Sequence, residues 1–505
     1  MIRKLTLALV GCAVLSFGGT IAEAENLVIL HTNDTHSQID PDDKDNLGGI
    51  ARRKVVVDSV RNAESNFMLI DAGDAVQGTL YFNLFGGEVE QKAMNALGYD
   101  LRILGNHEFD NGIDSLAAVL KMADSKFLAT NYDLSDTPLK DKFGKYDIRE
   151  FGNKRIGFIA INLEPKGMIS EGNYNGLEYL DAMEAANASA WWLKNVDSCD
   201  MVVAVTHIGY DPAVPPGDKN LAEQSSNIDI IIGGHSHDLI DPVGDKYQWR
   251  VPNRDGHDVL VTQVGKSGKN IGEITINLDS LTAGYRIIPI DSRLDSRIDA
   301  TMTDLIAPYR AGVNSLMQVP VGKTAKELLQ TSDELLNWTT DIVYERGLQL
   351  APDVDFAILN KGGLRRGLPK GTITEGQIIT MMPFDNRVDV IDIKGRDLLE
   401  AFKQMAAVGG NGVSRQVRVS YETEDDGKPE IESVTINGKP LDPDRIYRVA
   451  TIDYLAKGGD YMPTLANHTP VARSRNVLYK DVLDHIRALK GKRINPSGEI
   501  RFKKD

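Results

Sequence analysis

The chain has 505 residues, 42% apolar and 26% charged, the composition of a soluble globular protein too long for one compact core. Its formal net charge of −15 argues against a nucleic-acid polymer as the main partner, because an acidic surface repels phosphate backbones. Any phosphate it binds must meet a local positive site, a metal or an arginine.

In chain order, Arg3 and Lys4 open the sequence with positive charge, residues 5–17 are apolar, and Ala22-Glu23-Ala24 offers a small-x-small cleavage site. This is the pattern of an export signal over residues 1–24 and implies a periplasmic or secreted protein. An uncleaved anchor is the alternative, but the apolar run is short for a spanning helix. Leu9-Val10-Gly11-Cys12 also looks like a lipobox, so attachment to a membrane is expected only if Cys12 is lipidated. The apolar residues 13–17 stand where a lipoprotein usually has a polar tether, which ranks that reading second. Cleavage leaves Cys199 as the sole cysteine, so no internal disulfide is expected and metal ligation falls to His, Asp and Asn. Cys199, just before an apolar run, reads as a packing residue.

From residue 26 to about 278, strand-length apolar runs rich in β-branched residues alternate with helical patterns. The runs cover residues 27–30, 67–70, 101–104, 156–161, 201–205 and 228–232, and fit strands covered on both faces. Helices are expected around residues 87–97, 113–122, 180–195 and 221–226, giving a layered α/β domain over 25–295. The strands at 259–264 and 271–278 lie close together, as in a meander. Residues 296–317 have helical spacing and read as a connecting helix. A second, smaller domain follows over 318–505, with a helix near 335–343, strands near 430–436 and 447–452, and a polar stretch at 422–429 that reads as a hairpin connection.

Ligand-type residues follow five of these runs. Residues 27–30 lead into His31-Thr-Asn-Asp34-Thr-His36, and 67–70 into Asp71-Ala-Gly-Asp74. Residues 101–104 lead into Gly105-Asn106-His107-Glu108-Phe109-Asp110, 201–205 into Thr206-His207, and 228–232 into Gly233-Gly234-His235-Ser236-His237. Six of the nine histidines lie in these places, so five strand ends can bring together groups about 200 positions apart. Carboxyl ends of strands in α/β sheets form the crevice where ligands bind, and the glycines beside Asp74, Asn106 and His235 permit close backbone approach. Two divalent ions need about six to eight protein ligands, and this mixture of carboxylate, imidazole and amide suits zinc, manganese, iron or cobalt.

Each motif alone has an ordinary structural reading. Asp-x-His is common turn chemistry, His207 fits a hydrogen-bonded core histidine, and Asn106-His107-Glu108 fits a plain helix start. An exposed His235-x-His237 pair is common by itself. Five together, in this order and all at strand ends, make the ordinary reading improbable.

The order Asp-x-His, Gly-Asp, Gly-Asn-His-Glu, a lone His and Gly-His-x-His resembles the calcineurin-like metallophosphoesterase superfamily. The string from Gly105 to Asp110, with features of the second half, is similar to bacterial periplasmic 5'-nucleotidases. The resemblance covers nearly all of the chain after residue 24. It implies a four-layer α/β/β/α metallophosphoesterase domain, a connecting helix and a smaller α/β substrate-recognition domain.

By the same resemblance, Asp34, His36 and His237 hold one metal, Asn106, His207 and His235 hold the other, and Asp74 bridges them. His107 stabilises developing charge or protonates the leaving oxygen, with Asp110 orienting and charging its imidazole. His31 and Glu108 read as supporting residues.

In the second half, Asn360-Lys-Gly-Gly363-Leu-Arg365 resembles the family's Asn-x-Gly-Gly-x-Arg element, with Arg365 as the phosphate or ribose contact. Pro383-Phe384-Asp385-Asn386 resembles the Pro-Phe-x-Asn that follows, and Asp453-Tyr454 through Gly458-Gly459-Asp460 resembles the aromatic-x-x-x-Gly-Gly-Asp element. There Tyr454 would stack on a nucleobase, worth roughly 1–3 kcal/mol, and Asp460 would bind the sugar. A second aromatic is expected before residues 417–421, but this chain has Gly412-Val413-Ser414-Arg415. One side of a base sandwich is therefore missing or comes from elsewhere.

The expectation is a two-metal phosphomonoesterase with nucleoside 5'-phosphates as leading substrate, small-molecule partners and no stable protein partner implied. Alternatives are a 2',3'-cyclic phosphodiesterase, a nucleotide-sugar hydrolase, a non-nucleotide phosphatase and a hydrolase of sulfur esters. A non-catalytic nucleotide-binding protein is the rival of another class. Against it stand His107 and Asp110, which ligate nothing in the family's scheme.

Overall fold

The computed structural model describes residues 25–212, 216–424 and 428–504. The expected export signal and Cys12 lie outside them, as do residues within the expected hairpin connection. No helix of the described residues is long and apolar enough to cross a membrane.

The apolar runs of the first half form two sheets. The seven-stranded sheet has at its centre Asn66–Asp71, paired in parallel with Asn26–Thr32 on one side and Leu101–Arg102 on the other. The six-stranded sheet has a parallel centre of Lys154–Asn162, Met201–His207, Ile230–Ile232 and Asp258–Thr262. Period-two alternation puts Leu27, Ile29, Met68 and Ile70 of one sheet in the same core as Phe158, Ala160, Val203, Val205 and Ile232 of the other. The opposite faces are covered by helices: Ala182–Asn195 packs on the six-stranded sheet, and Ile50–Ala63, Glu88–Leu97 and Ala300–Met317 cover the seven-stranded one. The result is the four-layer α/β/β/α arrangement. Cys199 is buried in the outer core beside Leu193 and Val202.

The meander expected at 259–278 is a correction. Asp258–Thr262 belongs to the six-stranded sheet, whereas Asn270–Asn277 crosses to the other sheet and pairs antiparallel with Asn26–Thr32. Adjacency in sequence gave no sign of the change of layer. The crossing is held by side-chain and backbone bonds to residues 33 and 34, described below.

Helix Ala300–Met317 starts at an Asp299 cap and docks through Met302 and Ile306 into the core outside the seven-stranded sheet. The second domain has a five-stranded sheet, in which Phe356–Leu359, Ile446–Ile452 and Arg387–Lys394 are successive neighbours. A four-stranded sheet containing Val417–Thr423 and Pro429–Ile436 lies in the same domain. Helices Asp333–Leu350, Gly395–Ala407 and Leu478–Ala488 share its core. The first of these is longer than the 335–343 expected, because Ser332 caps it and its polar turns still present Leu335, Ile342 and Val343 inward.

Candidate metal centre and substrate cleft

The five strand ends converge. Ligand atoms of Asp34, His36 and His237 lie within 4.8 Å of one another, as do those of Asp74, His207 and His235. His36 Nε2 is 2.9 Å from His237 Nε2, and both face Asp34 Oδ1, at 3.8 and 3.5 Å. Asn106 Oδ1 lies 3.0 Å from His235 Nδ1, which adds the amide to the second group. Asp74 sits between the groups: its Oδ2 is 3.2 Å from His207 Nε2 and 4.0 Å from His36 Nε2. Its Oδ1 accepts from the backbone N–H of His107 at 2.8 Å.

The donor set fits two cations. His207 Nδ1 lies 2.7 Å from the Ala72 carbonyl, an acceptor only, so Nδ1 carries the proton and Nε2 offers its lone pair. That Nε2 is buried and faces the Asp74 carboxylate at 3.2 Å. Without a cation the cluster is electrostatically costly. Burial, with the Asp74 charge, pushes Asp34 up to about 7 against the pull of His207. Burial alone would raise Asp74 too, but the His207 and His107 imidazoles hold it well below the carboxylate range. Burial also lowers His36, His235 and His237, favouring the neutral imidazole that ligates. Burial would lower His207, yet the carboxylates of Asp74 and Asp34 outweigh it and lift it to about 10.

The backbone accepts strain to make this cluster. Asp34, His36, Asp74, His235 and His237 all have positive φ, between 46° and 79°, as do neighbouring Ser37 and Gln77. Such conformations cost non-glycine residues energy and persist where the surroundings hold them. Two glycines make room: a Cβ on Gly105 would lie 2.2 Å from Asp74 Oδ1, and one on Gly234 would lie 2.8 Å from His207 Nδ1. Glu108 braces two loops, its carboxylate accepting from the backbone N–H groups of Asp74, Ala75 and Gly105 at 3.0, 2.8 and 2.6 Å. Asn33 ties the layer crossing, donating to the Gly265 carbonyl at 2.7 Å and accepting from Val264 at 3.0 Å. His31, by contrast, lies away from the cluster, buried against Tyr285 with centroids 6.0 Å apart.

His107 Nδ1 is 2.9 Å from Asp110 Oδ2, so the two side chains that the resemblance pairs are in contact. Nε2 then points inward, 4.0 Å from Asp74 Oδ2. His36, Asp74 and His107 form a third close group that overlaps both others. Burial would lower the His107 imidazole, but Asp110 and Asp74 raise it above the ordinary histidine value.

The second domain closes a cleft over this centre. Asn360, Gly363, Arg365, Asn386, Tyr454 and Asp460 all line it, together with Asp74, Asn106, His107, Asp110, His235 and His237. Arg365 Nη2 lies 3.3 Å from His107 Nε2 and 3.4 Å from Gln77 Oε1. Phe384 stacks beside His107, with centroids 5.8 Å apart. The Tyr454 hydroxyl donates to the Met168 carbonyl at 3.2 Å and accepts from the Asp460 N–H at 2.9 Å, so this ring also spans the domains. Val413 is a core residue and Ser414 bonds the Ala357 N–H, which leaves no ring on that edge. Gln77, Phe384, Met168 and Ser170 were not among the residues expected from sequence. Only Phe384 carried a signal, inside Pro-Phe-x-Asn.

Residues 27–239 match the family model for calcineurin-like phosphoesterases, and residues 316–467 match that for the 5'-nucleotidase C-terminal domain. The chain is 29% identical to an apyrase of Tabanus yao, over 86% of both proteins. It is 26% identical to protein UshA of Yersinia enterocolitica, over 95% of this chain and 94% of that one. Its structure is similar to that of a 5'-nucleotidase precursor from Thermus thermophilus, with a TM-score of 0.84, 28% identity and coverage of 95% and 99%.

Proposed function

The chain belongs to the calcineurin-like phosphoesterases that carry a 5'-nucleotidase C-terminal domain, and from that membership we propose that it releases orthophosphate from nucleoside 5'-phosphates. It is a metal-dependent phosphoric ester hydrolase of the 5'-nucleotidase type. The observation that carries the substrate reading is the single cleft that joins the His107–Asp110 pair to Arg365, Asn386, Tyr454 and Asp460.

Asp34, His36 and His237 would hold one divalent ion, Asn106, His207 and His235 the other, and Asp74 both. Such a pair supplies charge to phosphoryl oxygens and makes water a better nucleophile at neutral pH. The protein groups do the rest. Arg365 offers its guanidinium to phosphoryl oxygens, in a cleft where water is restricted and charge interactions are stronger. His107, kept protonated by Asp110, delivers the Nε2 proton to the oxygen that leaves with the nucleoside. Asn360 and Asp460 hydrogen-bond the sugar, and Tyr454 presents its ring to the base. Export rests on the composition of residues 1–24 and is part of the same proposal.

The missing ring opposite Tyr454 favours one second reading, a phosphomonoester whose organic part is held by hydrogen bonds rather than by stacking. A panel of nucleoside monophosphates, cyclic nucleotides, nucleotide sugars and simple phosphomonoesters decides between them, with and without chelator. Chelator-sensitive release of phosphate, greatest for the nucleoside monophosphates, is the expected result. Preference for a non-nucleotide ester overturns the substrate assignment, and chelator-resistant turnover overturns the two-metal reading.

A further inference from the structure

The Tyr454 hydroxyl is fully engaged. It donates to the Met168 carbonyl at 3.2 Å and accepts from the Asp460 N–H at 2.9 Å, so what this residue offers a ligand is its ring. Gly459 covers one face of that ring. A Cβ built on it would lie 2.3, 2.5 and 2.6 Å from Cε2, Cδ2 and Cζ, three consecutive carbons. Near-equal distances to three neighbours place this backbone over the face rather than at the edge. The opposite face is left for the cleft that Tyr454 lines.

Met168 stands at the tip of the same ring but belongs to the catalytic domain. The N–H groups of Met168 and Ile169 donate to the Pro165 carbonyl at 3.1 and 2.8 Å, and Ile169 is buried with Phe109 and Ile113. From the other domain, the Tyr461 N–H donates to the Gly167 carbonyl at 3.3 Å. Further along, the Asn173 side chain donates to the Asp110 carbonyl at 2.9 Å, which ties this loop to the partner of His107. The Met168 side chain is half-buried. It packs against the outer core of the six-stranded sheet and also lines the cleft with Tyr454 and Asp460.

We infer that Met168 is a specificity-determining residue that contacts the ring system stacked on Tyr454, so that base recognition is divided between the two domains. A thioether has no proton to donate and is a weak acceptor, which gives it little to offer a sugar hydroxyl or a phosphate. Its polarisable sulfur suits an aromatic ligand. Core and loop contacts already order the side chain, so little rotamer freedom is lost when a base arrives. Met168 thereby supplies an apolar contact that residues 412–415, which carry no ring, do not. This inference rests on the nucleotide reading proposed above.

Calorimetry on the metal-loaded full chain tests it with the non-hydrolysable phosphonate analogues of adenosine 5'-phosphate and ribose 5-phosphate, which differ only in the base. The natural chain is expected to bind the adenosine analogue more tightly. Met168→Ala should cut that advantage about tenfold, the upper end for a sulfur–ring contact, and leave the ribose analogue unchanged. Met168→Leu, which keeps the volume, should restore most of the advantage. A merely structural role weakens both analogues together, and that result overturns the inference. An advantage of unchanged size in Met168→Ala overturns it too, and a chain that still turns over nucleoside 5'-phosphates fastest then keeps the proposed function. No advantage for the base in the natural chain overturns both. Binding is read without turnover, so a chain that shows the full pattern yet releases no phosphate loses the proposed function alone.

Discussion

Arg365 reaches across the domain boundary and sets its Nη2 3.3 Å from His107 Nε2. The residue that would hold the phosphate and the residue that would protonate the leaving group therefore meet at one point, supplied by different domains. His107 Nε2 lies 4.0 Å from Asp74 Oδ2 on its other side, so the same imidazole touches the metal centre and the substrate arm.

His107→Ala is expected to lower kcat by about 10²–10⁴-fold, the range for loss of a positioned acid. Metal content, measured by elemental analysis, should fall far less than in Asp74→Ala. Loss of both ions in His107→Ala would make it a ligand instead.

The pH profile follows from the same pair. Because Asp110 and Asp74 raise His107, its protonated form survives above the ordinary histidine range, and activity should fall as pH rises through that raised value. Asp110→Asn removes a raising charge, so the basic limb of kcat should move to lower pH. An unmoved limb would detach it from His107.

Gly105→Ala places a methyl 2.2 Å from Asp74 Oδ1, and Gly234→Ala places one 2.8 Å from His207 Nδ1 and 2.9 Å from the Ala72 carbonyl that fixes this ring. Both variants should lose bound metal and activity together, while circular dichroism still reports a folded chain. Full metal content in Gly105→Ala would contradict the packing.

Glu108→Gln leaves one acceptor oxygen where three backbone N–H groups now converge, and sets an amide N–H₂ against a donor. The cost is expected at about 1–3 kcal/mol, read as a lower Tm. Activity should fall as well, because the two braced loops carry Asp74 and Asn106.

Asp42 joins the domains through Arg366. Burial alone would raise its carboxyl, but the Arg366 guanidinium, the Lys44 N–H and Lys269 hold it down to about 2, below the ordinary 3.8. A depressed carboxyl contributes stability above its unfolded value and loses it as pH falls through the folded one. The Tm gap between the natural chain and Asp42→Asn should be full above about pH 4 and close between about 4 and 2. About 1–2 kcal/mol is at stake, since solvent around the partly exposed Arg366 screens the pair. A gap that persists at pH 2 would exclude the ion pair as its source.

The cluster of Asp, Asn and His side chains was legible because each sits within a few residues of a buried strand end, where hydrophobic runs and glycines mark the place. The family resemblance then sorted those residues into two expected ligand sets. What escaped was tertiary. The crossing between Asp258–Thr262 and Asn270–Asn277 looks like a hairpin in sequence, and only the bonds from Asn33 and Asp34 reveal why it changes layer. Gln77 and Met168 enter the cleft through loop geometry that leaves no periodic trace. Helix Gly395–Ala407 did leave one, with Leu398, Ala401, Phe402 and Met405 on a single face, but it carries no site residue. Tyr454 was expected as a stacking ring, and its hydroxyl turns out also to link Met168 and Asp460.

The most direct test is anomalous diffraction from crystals of the natural chain grown with manganese, read against Asp74→Ala. The account predicts two ions, one among Asp34, His36 and His237 and the other among Asn106, His207 and His235, with an Asp74 oxygen between them. A single ion that stays in place in Asp74→Ala, or ions bound away from these seven residues, would contradict it.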